Sequence, residues 1–317
     1  MKAYVVGAGA VGRYLGGMLA DQGIEISYAP RLLADVTPVE ADLAIVATKA
    51  YDTERAIETL RKAFGAGAGT TILCPQNGVG NEEKLAEAFG ADNVMACALT
   101  VPIDKARDGS SLAVAAGGIV LAPVGGLSHN WLLAVFERMP VPVRVVSDYR
   151  SLKWSKLSLN LIANATCAIF DVLPQRLVRL DDAFSLDLLA VREVRAVMRA
   201  MGLQAVDLPN YPVRALHVVI GLPFALARTI LAGRVAGARG RKPPSLLLDL
   251  RSMRGRTEID ALNGAVVEAG RVYGVETPVN AMLTKLLGEI VRSPQLWEKY
   301  RGHPAAFQAL LRGVRAS

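Results

Sequence analysis

Two groups of residues in this 317-residue chain combine types and spacings that chemistry can use. The first is Gly7-Ala8-Gly9-Ala10-Val11-Gly12, a G-x-G-x-x-G turn directly after the apolar run of residues 2–6. Between a strand and a helix, the first glycine permits a tight turn and the second lets backbone approach a pyrophosphate. The third lets the helix pack on the strand. Phosphates would then rest on the helix N-terminus, where amide hydrogens and the dipole favour anions. The second group is Lys156, Asn160 and Asn164, four residues apart in an otherwise apolar stretch. On one helix they make a polar stripe that drifts roughly 40° per step and runs about 12 Å. An unpaired buried polar group costs on the order of 1–3 kcal/mol, so the stripe either closes a structural network or faces a ligand.

Four further positions belong with these. The strand expected after the first helix, residues 25–29, ends in Pro30-Arg31, with no acid until Asp35. An acid there would suit the ribose hydroxyls of NAD, whereas a basic residue suits the 2′-phosphate of NADP. NADP(H) is therefore the expected cofactor, with Arg31 as its phosphate contact; the alternative is a solvated arginine. Lys49 and Asn77 each follow an apolar run read as a parallel strand, at the end where open α/β sheets bind ligands. Thr257-Glu258 opens a helical pattern, so Glu258 is either a first-turn carboxylate favoured by the helix dipole or a site residue.

The elements that must position these residues change character midway. Strands are expected at 2–6, 25–29, 42–47, 71–74, 94–99, 118–121 and 140–146, with helices at 13–22 and 52–64. From 151 the pattern is helical only: 151–170, 182–201, 212–235, 244–252, 257–273 and 278–291. A sheet-rich first part and a helical second part argue two domains, residues 1–147 and 148–317.

Composition narrows the classes. Apolar residues make up 52% and charged residues 21%, which fits compact globular domains. The net charge of +7 is concentrated in Arg228, Arg234, Arg239, Arg241, Lys242, Arg251, Arg254 and Arg256. No aromatic residue interleaves the cluster from Arg234 to Arg256, which disfavours nucleic acid as a partner. The most apolar run, 215–227, contains His217 and Pro223 and is too short to span a bilayer. Cys74, Cys97 and Cys167 are too scattered for a zinc site or disulfide framework, so no metal and a cytoplasmic location are expected. No leader is read at the N-terminus, where the strand begins at once. The apolar helices of the second part would suit a homodimer interface or a monomer's core equally well.

The chain resembles the ketopantoate reductase (2-dehydropantoate 2-reductase) family. The matching motifs are Gly7-x-Gly9-x-x-Gly12, Thr48-Lys49-Ala50, Asn77-Gly78-Val79-Gly80 and Lys156-x-x-x-Asn160-x-x-x-Asn164. Arg256-Thr257-Glu258-Ile259-Asp260 with Asn263-Gly264, and Gly274-x-x-Thr277-Pro278-Val279-Asn280, continue them in the family's order. The resemblance implies an α/β Rossmann domain with a mostly parallel sheet that binds NADP. It also implies an all-α substrate and catalytic domain of the 6-phosphogluconate-dehydrogenase-like kind, with catalysis in the cleft between the two. It implies NADPH-dependent reduction of a small 2-keto acid, by default 2-dehydropantoate to pantoate in pantothenate biosynthesis. Lys156 would be the general acid, and Glu258 would hold substrate and meet Lys156 through the fold. Asn160, Asn164 and Ser245 would contact substrate, while Lys49 and Asn77 border the nicotinamide and the reacting carbonyl.

The sequence departs from the family in its short Arg31–Asp42 connection, in Val172-Leu173-Pro174-Gln175, and in the apolar, arginine-rich segment 217–242. An opine-type dehydrogenase acting on an imine shares the domain plan, but none of His129, His217 or His303 falls in a comparable motif. A catalytically inactive NADP-sensing protein would fit the short connection and would be expected to lack Lys156 or Glu258.

Overall fold

The computed structural model describes residues 1–65, 69–105, 111–113, 116–126, 129–238 and 242–303. It divides into two compact units: Met1–Lys153 with Asp207–Pro212, and Trp154–Val206 with Val213 onward.

In the first unit, strands buried along their length build a sheet covered on both faces. Its elements are β1 (Lys2–Val6), α1 (Ala10–Ala20), β2 (Glu25–Tyr28), β3 (Leu43–Val46), α2 (Thr53–Phe64), β4 (Thr71–Cys74) and α3 (Asn81–Phe89). There follow β5 (Val94–Leu99), β6 (Ile103–Lys105), β7 (Ser111–Ala113), β8 (Ile119–Pro123), α4 (Asn130–Glu137) and β9 (Val143–Val145). Alternate residues of the central strands enter different cores. Ala3, Val5 and Ile45 pack with Leu15 of α1 and Phe136 of α4. Tyr4, Val6 and Val46 pack with Leu60 of α2 and Leu85 of α3. Strands buried on both faces explain the continuous apolar runs in the sequence.

The strand order is β2-β1-β3-β4-β5-β8-β9. All neighbours are parallel except β5 with β8. The chain turns one way from β1 to β2 and crosses back to β3, so the order reverses between β1 and β3. That reversal is where sheets of this Rossmann type bind ligands at the strands' carboxyl ends. The small β6–β7 hairpin was not foreseen in the sequence.

The second unit is helical. Its elements are α5 (Tyr149–Leu161, beginning in the first unit), α6 (Ala165–Phe170), α7 (Pro174–Leu177), α8 (Asp181–Ala200), α9 (Val213–Val219) and α10 (Phe224–Ala238). They continue with α11 (Ser245–Arg251), a π-helical turn (Asp260–Gly264), α12 (Ala265–Tyr273) and α13 (Pro278–Arg292).

Three expectations are corrected here. The helix expected over 151–170 is two helices, because Ala163 takes a left-handed φ of 52° between α5 and α6. The stripe therefore does not lie on one helix: Asn164 precedes α6 rather than continuing α5. The helix expected over 212–235 also breaks, ahead of Pro223, which has no amide to donate and disfavours helical backbone before it. Arg192 takes up the carbonyls at that break, donating to Ile220 O and to Leu222 O at 2.6 Å. The helix expected over 257–273 begins as the π turn, where Gly264 N donates to Ile259 O at 3.0 Å.

Of the basic cluster, Arg239 and Arg241 lie outside the described residues. Arg251 pairs with Asp171 at 2.6 Å. Among the described residues no helix is long and apolar enough to cross a membrane.

Candidate functional site

In the first unit the glycine turn divides into glycines the fold needs and one it does not. Val6 and Val46 are register partners, so Gly7 meets the chain leaving β3. A Cβ on Gly7 would stand 2.7 Å from the Ala47 carbonyl carbon, and its φ of 108° suits glycine alone. A Cβ on Gly12 would stand 2.0 Å from Gly7 O. Gly9 differs: its φ of −79° is ordinary, and nothing beyond its chain neighbours lies within 4 Å of where its Cβ would be. The space a side chain would fill therefore lies open at the first turn of α1, beside Ala8, Ala10 and Val11. That is the cradle a dinucleotide pyrophosphate fits.

Beside it, Arg13 donates to Ala8 O at 3.1 Å and lies over the Tyr28 ring, 5.9 Å from its centroid. Arg31 is exposed past the end of β2. Its carbonyl oxygen accepts a bond from Arg55 of α2, a residue sequence reasoning passed over. The short connection after Arg31 is tied down on α2. Lys62 donates to Leu33 O and Ala34 O at 2.9 and 2.8 Å, Val39 N donates to Ala63 O at 2.9 Å, and Val36 is buried.

Lys49 and Asn77, both half-buried, stand on neighbouring strand ends that Gln76 joins. Its side-chain amide reaches Thr48 O at 3.2 Å, Thr48 Oγ1 at 3.1 Å and Thr53 Oγ1 at 2.9 Å. Asn77 O accepts from the Asn81 side chain at 3.2 Å. Under this loop lies a buried pair, Lys153 Nζ and Glu82 Oε1 at 2.8 Å, with Lys153 also donating to Gln76 O. Burial pushes the Lys153 ammonium toward neutrality, the Glu82 carboxylate and the surrounding groups pull the other way, and the pKa ends raised. Burial, with Glu82 adding to it, holds the Cys74 thiol well above its ordinary value. Nothing in the sequence marked Gln76, Glu82 or Lys153, since such residues on a helix or loop are usually solvated.

In the second unit the break after α5 brings Asn164 to Ser245. Asn164 Nδ2 donates to Asn160 O at 3.0 Å, and Asn164 Oδ1 accepts from Leu246 N at 3.2 Å. Ser245 Oγ lies 3.5 Å from the Asn164 side chain. Asn164 thus satisfies an amide of the first turn of α11, an orphan donor that the preceding Pro244 cannot cap. Lys156 is half-buried one turn before Asn160 on α5.

Glu258 is buried just before the π turn, and its carbonyl oxygen accepts Leu262 N at 3.1 Å. The turn is held from α8 through α13. Glu193 accepts from Val279 N at 2.8 Å and from Asn280 Nδ2 at 2.6 Å, and Asn280 Oδ1 accepts from Asn263 Nδ2 at 2.9 Å. Burial raises the Glu193 pKa against the opposing pull of these bonds. The wide π turn is a local departure of the kind that collects at functional sites.

The histidines are placed otherwise. His129 meets Thr71 Oγ1 at 3.2 Å, and His217 Nε2 meets Ser158 Oγ at 3.0 Å. Burial, then the nearby Arg195, lowers the His217 pKa to about 4.

Residues 28–126 match the sequence family described as Ketopantoate reductase PanE/ApbA, and residues 148–291 match that described as its C terminal part. The 2-dehydropantoate 2-reductase of Pyrobaculum aerophilum is 30% identical over 243 residues, which cover 77% of this chain and 75% of that protein. The crystal structure of the PanE/ApbA family ketopantoate reductase from Ralstonia eutropha JMP134 is similar with a TM-score of 0.75 at 29% identity. That match covers 93% of this chain and 100% of the other. D-mandelate dehydrogenase in complex with NADH shares the fold, with a TM-score of 0.74 at 22% identity over 92% of this chain and 99% of that one.

Proposed function

This chain belongs to the ketopantoate reductase family of oxidoreductases, and we propose that it reduces a 2-keto acid, 2-dehydropantoate in the first instance, with NADPH. The observation that carries the reading is the meeting of Asn164 with Ser245, polar groups brought together from the α5–α6 break and α11, with the Asn160 carbonyl bonded to the same Asn164 amide. Such groups fit the carboxylate and hydroxyls of a short hydroxylated keto acid.

The residues divide the work. When bound on the Gly7–Gly12 turn, the nicotinamide cofactor supplies a hydride to the keto carbon. Lys156 gives its proton to the carbonyl oxygen, leaving a neutral amine that solvent reprotonates. Because negative charge grows on that oxygen only as the reaction proceeds, an ammonium there stabilises the transition state more than the ground state. Asn160, Asn164 and Ser245 orient the substrate, and Glu258 holds it and helps organise the site. Arg31 meets the 2′-phosphate, with Arg55 fixing the backbone that bears it. Lys49 and Asn77 line the nicotinamide side.

Two other chemistries would show in the same assay. Purified protein is mixed with NADPH or NADH and a panel of 2-keto acids, and loss of the reduced nicotinamide absorbance is followed. Oxidation of NADPH by the keto acid alone is expected. Oxidation only with an added amine would identify an imine reductase, a reading that His129 and His217, bonded to hydroxyls, do not favour. NADPH binding without turnover would identify a sensor.

A further inference from the structure

Asp187, in the middle of α8, is 0% exposed, and neither site cluster contains it. Its carboxylate grips one feature from both sides. Oδ2 accepts the Ala163 amide at 2.7 Å, and Oδ1 accepts the Thr166 hydroxyl at 2.8 Å. Those two donors bracket the break between α5 and α6. Ala163 itself holds a left-handed conformation (φ 52°) that alanine adopts only when its surroundings impose it. Asn164 follows with φ −120° and ψ −74°, off the path of either helix.

From this geometry we infer that Asp187 is a positioning residue for substrate binding. Its carboxylate holds the backbone at Ala163, and that backbone turns Asn164 toward Asn160, Ser245 and the Leu246 amide. An uninterrupted helix would give Asn164 helical φ and ψ in place of −120° and −74° and would direct the Ala163 amide along the helix axis. A carboxylate is suited to the task because it is acceptor-only, with two oxygens that can take two donors at once in a dry interior. Asp187 acts through Asn164 and has no part in the chemical step. The use of the positioned asparagine rests on the proposed function; the positioning itself does not.

Asp187→Asn keeps the shape and removes one acceptor, and Thr166→Val removes only the hydroxyl bond. Leu246 N reports on Asn164 directly, since the Asn164 oxygen is its acceptor. In Asp187→Asn, amide hydrogen exchange is expected to speed at Leu246 as well as at Ala163, on the order of tenfold. In steady-state assays KM for the keto acid is expected to rise about tenfold, with kcat and NADPH affinity little changed. Thr166→Val should show the same pattern at smaller size. In an Asn164→Ala background, Asp187→Asn should add nothing further to KM. Unchanged exchange at Leu246, or a KM effect that persists in full without Asn164, would overturn the inference. If the wild-type protein reduces no keto acid, the proposed function fails, while exchange at Leu246 still decides the role of Asp187.

Discussion

The ammonium of Lys153 lies 2.8 Å from the carboxylate of Glu82, with the two side chains 3% and 1% exposed. Lys153 also donates to Gln76 O, so one charged group ties the start of α5 to the first turn of α3 and to the loop carrying Asn77. A buried pair of this kind adds little over a well-packed apolar substitute, but removing one partner strands the other charge. Glu82→Gln should therefore lower unfolding stability by about 3–5 kcal/mol, read from urea denaturation. The sign of the pH effect follows from Lys153, whose pKa is raised in the folded protein. Its contribution is complete below the unfolded value of 10.5 and is lost as pH rises through the folded value. A wild-type stability that rose through that alkaline range would contradict the assignment.

The glycine turn predicts two opposite outcomes. Gly12→Ala places a methyl 2.0 Å from Gly7 O and should destabilise by more than about 2 kcal/mol. Gly9→Ala meets nothing beyond its chain neighbours, so the melting temperature should barely move while NADPH affinity falls by about tenfold or more. Equal affinity in Gly9→Ala and wild type would show that no ligand approaches there.

Arg31 should read the 2′-phosphate. Arg31→Ala is expected to weaken NADPH by about tenfold or more and to leave NADH unchanged, measured by fluorescence titration. Equal weakening of both cofactors would remove the role.

Lys156→Ala should lower kcat by about 10²–10⁴-fold, with NADPH binding retained. An unchanged kcat would end the proposal that Lys156 is the proton donor.

His217 makes the protein acid-sensitive. Its pKa falls from 6.5 to about 4 on folding, so the unfolded chain binds the proton first as pH drops. Stability should thus be unaffected above about pH 7 and fall between pH 6.5 and 4, by on the order of 1–2 kcal/mol at pH 5. Denaturation curves at pH 7 and pH 5 should show the loss in wild type and a smaller one in His217→Gln.

Much of this was legible in the residues themselves. Strands buried on both faces must be apolar throughout, so β1, β3, β4 and β5 stood out as runs. The turn after β1 requires glycine at Gly12 because Gly7 O lies against it, a reason local to the turn, and at Gly7 both for its own φ and for the chain leaving β3. Helix stops at Gly202 and Gly274 were readable because left-handed backbone favours glycine. Arg55 and Gln76 were not readable: each acts on a backbone more than twenty residues away, and local pattern carries no sign of that.

The polar stripe shows where the division falls. Sequence alone determined that Lys156, Asn160 and Asn164 belong together, because four-residue spacing in an apolar stretch sets them at one place on a helix. Only the tertiary structure decided how. A carboxylate from α8 breaks that helix at Ala163, and Asn164 turns to meet the start of α11. Spacing reports the conformation a segment prefers in isolation, whereas a buried hydrogen bond from a distant helix can outweigh that preference at one residue. Ala163 has nothing in its own chemistry that calls for a break; Asp187 supplies it.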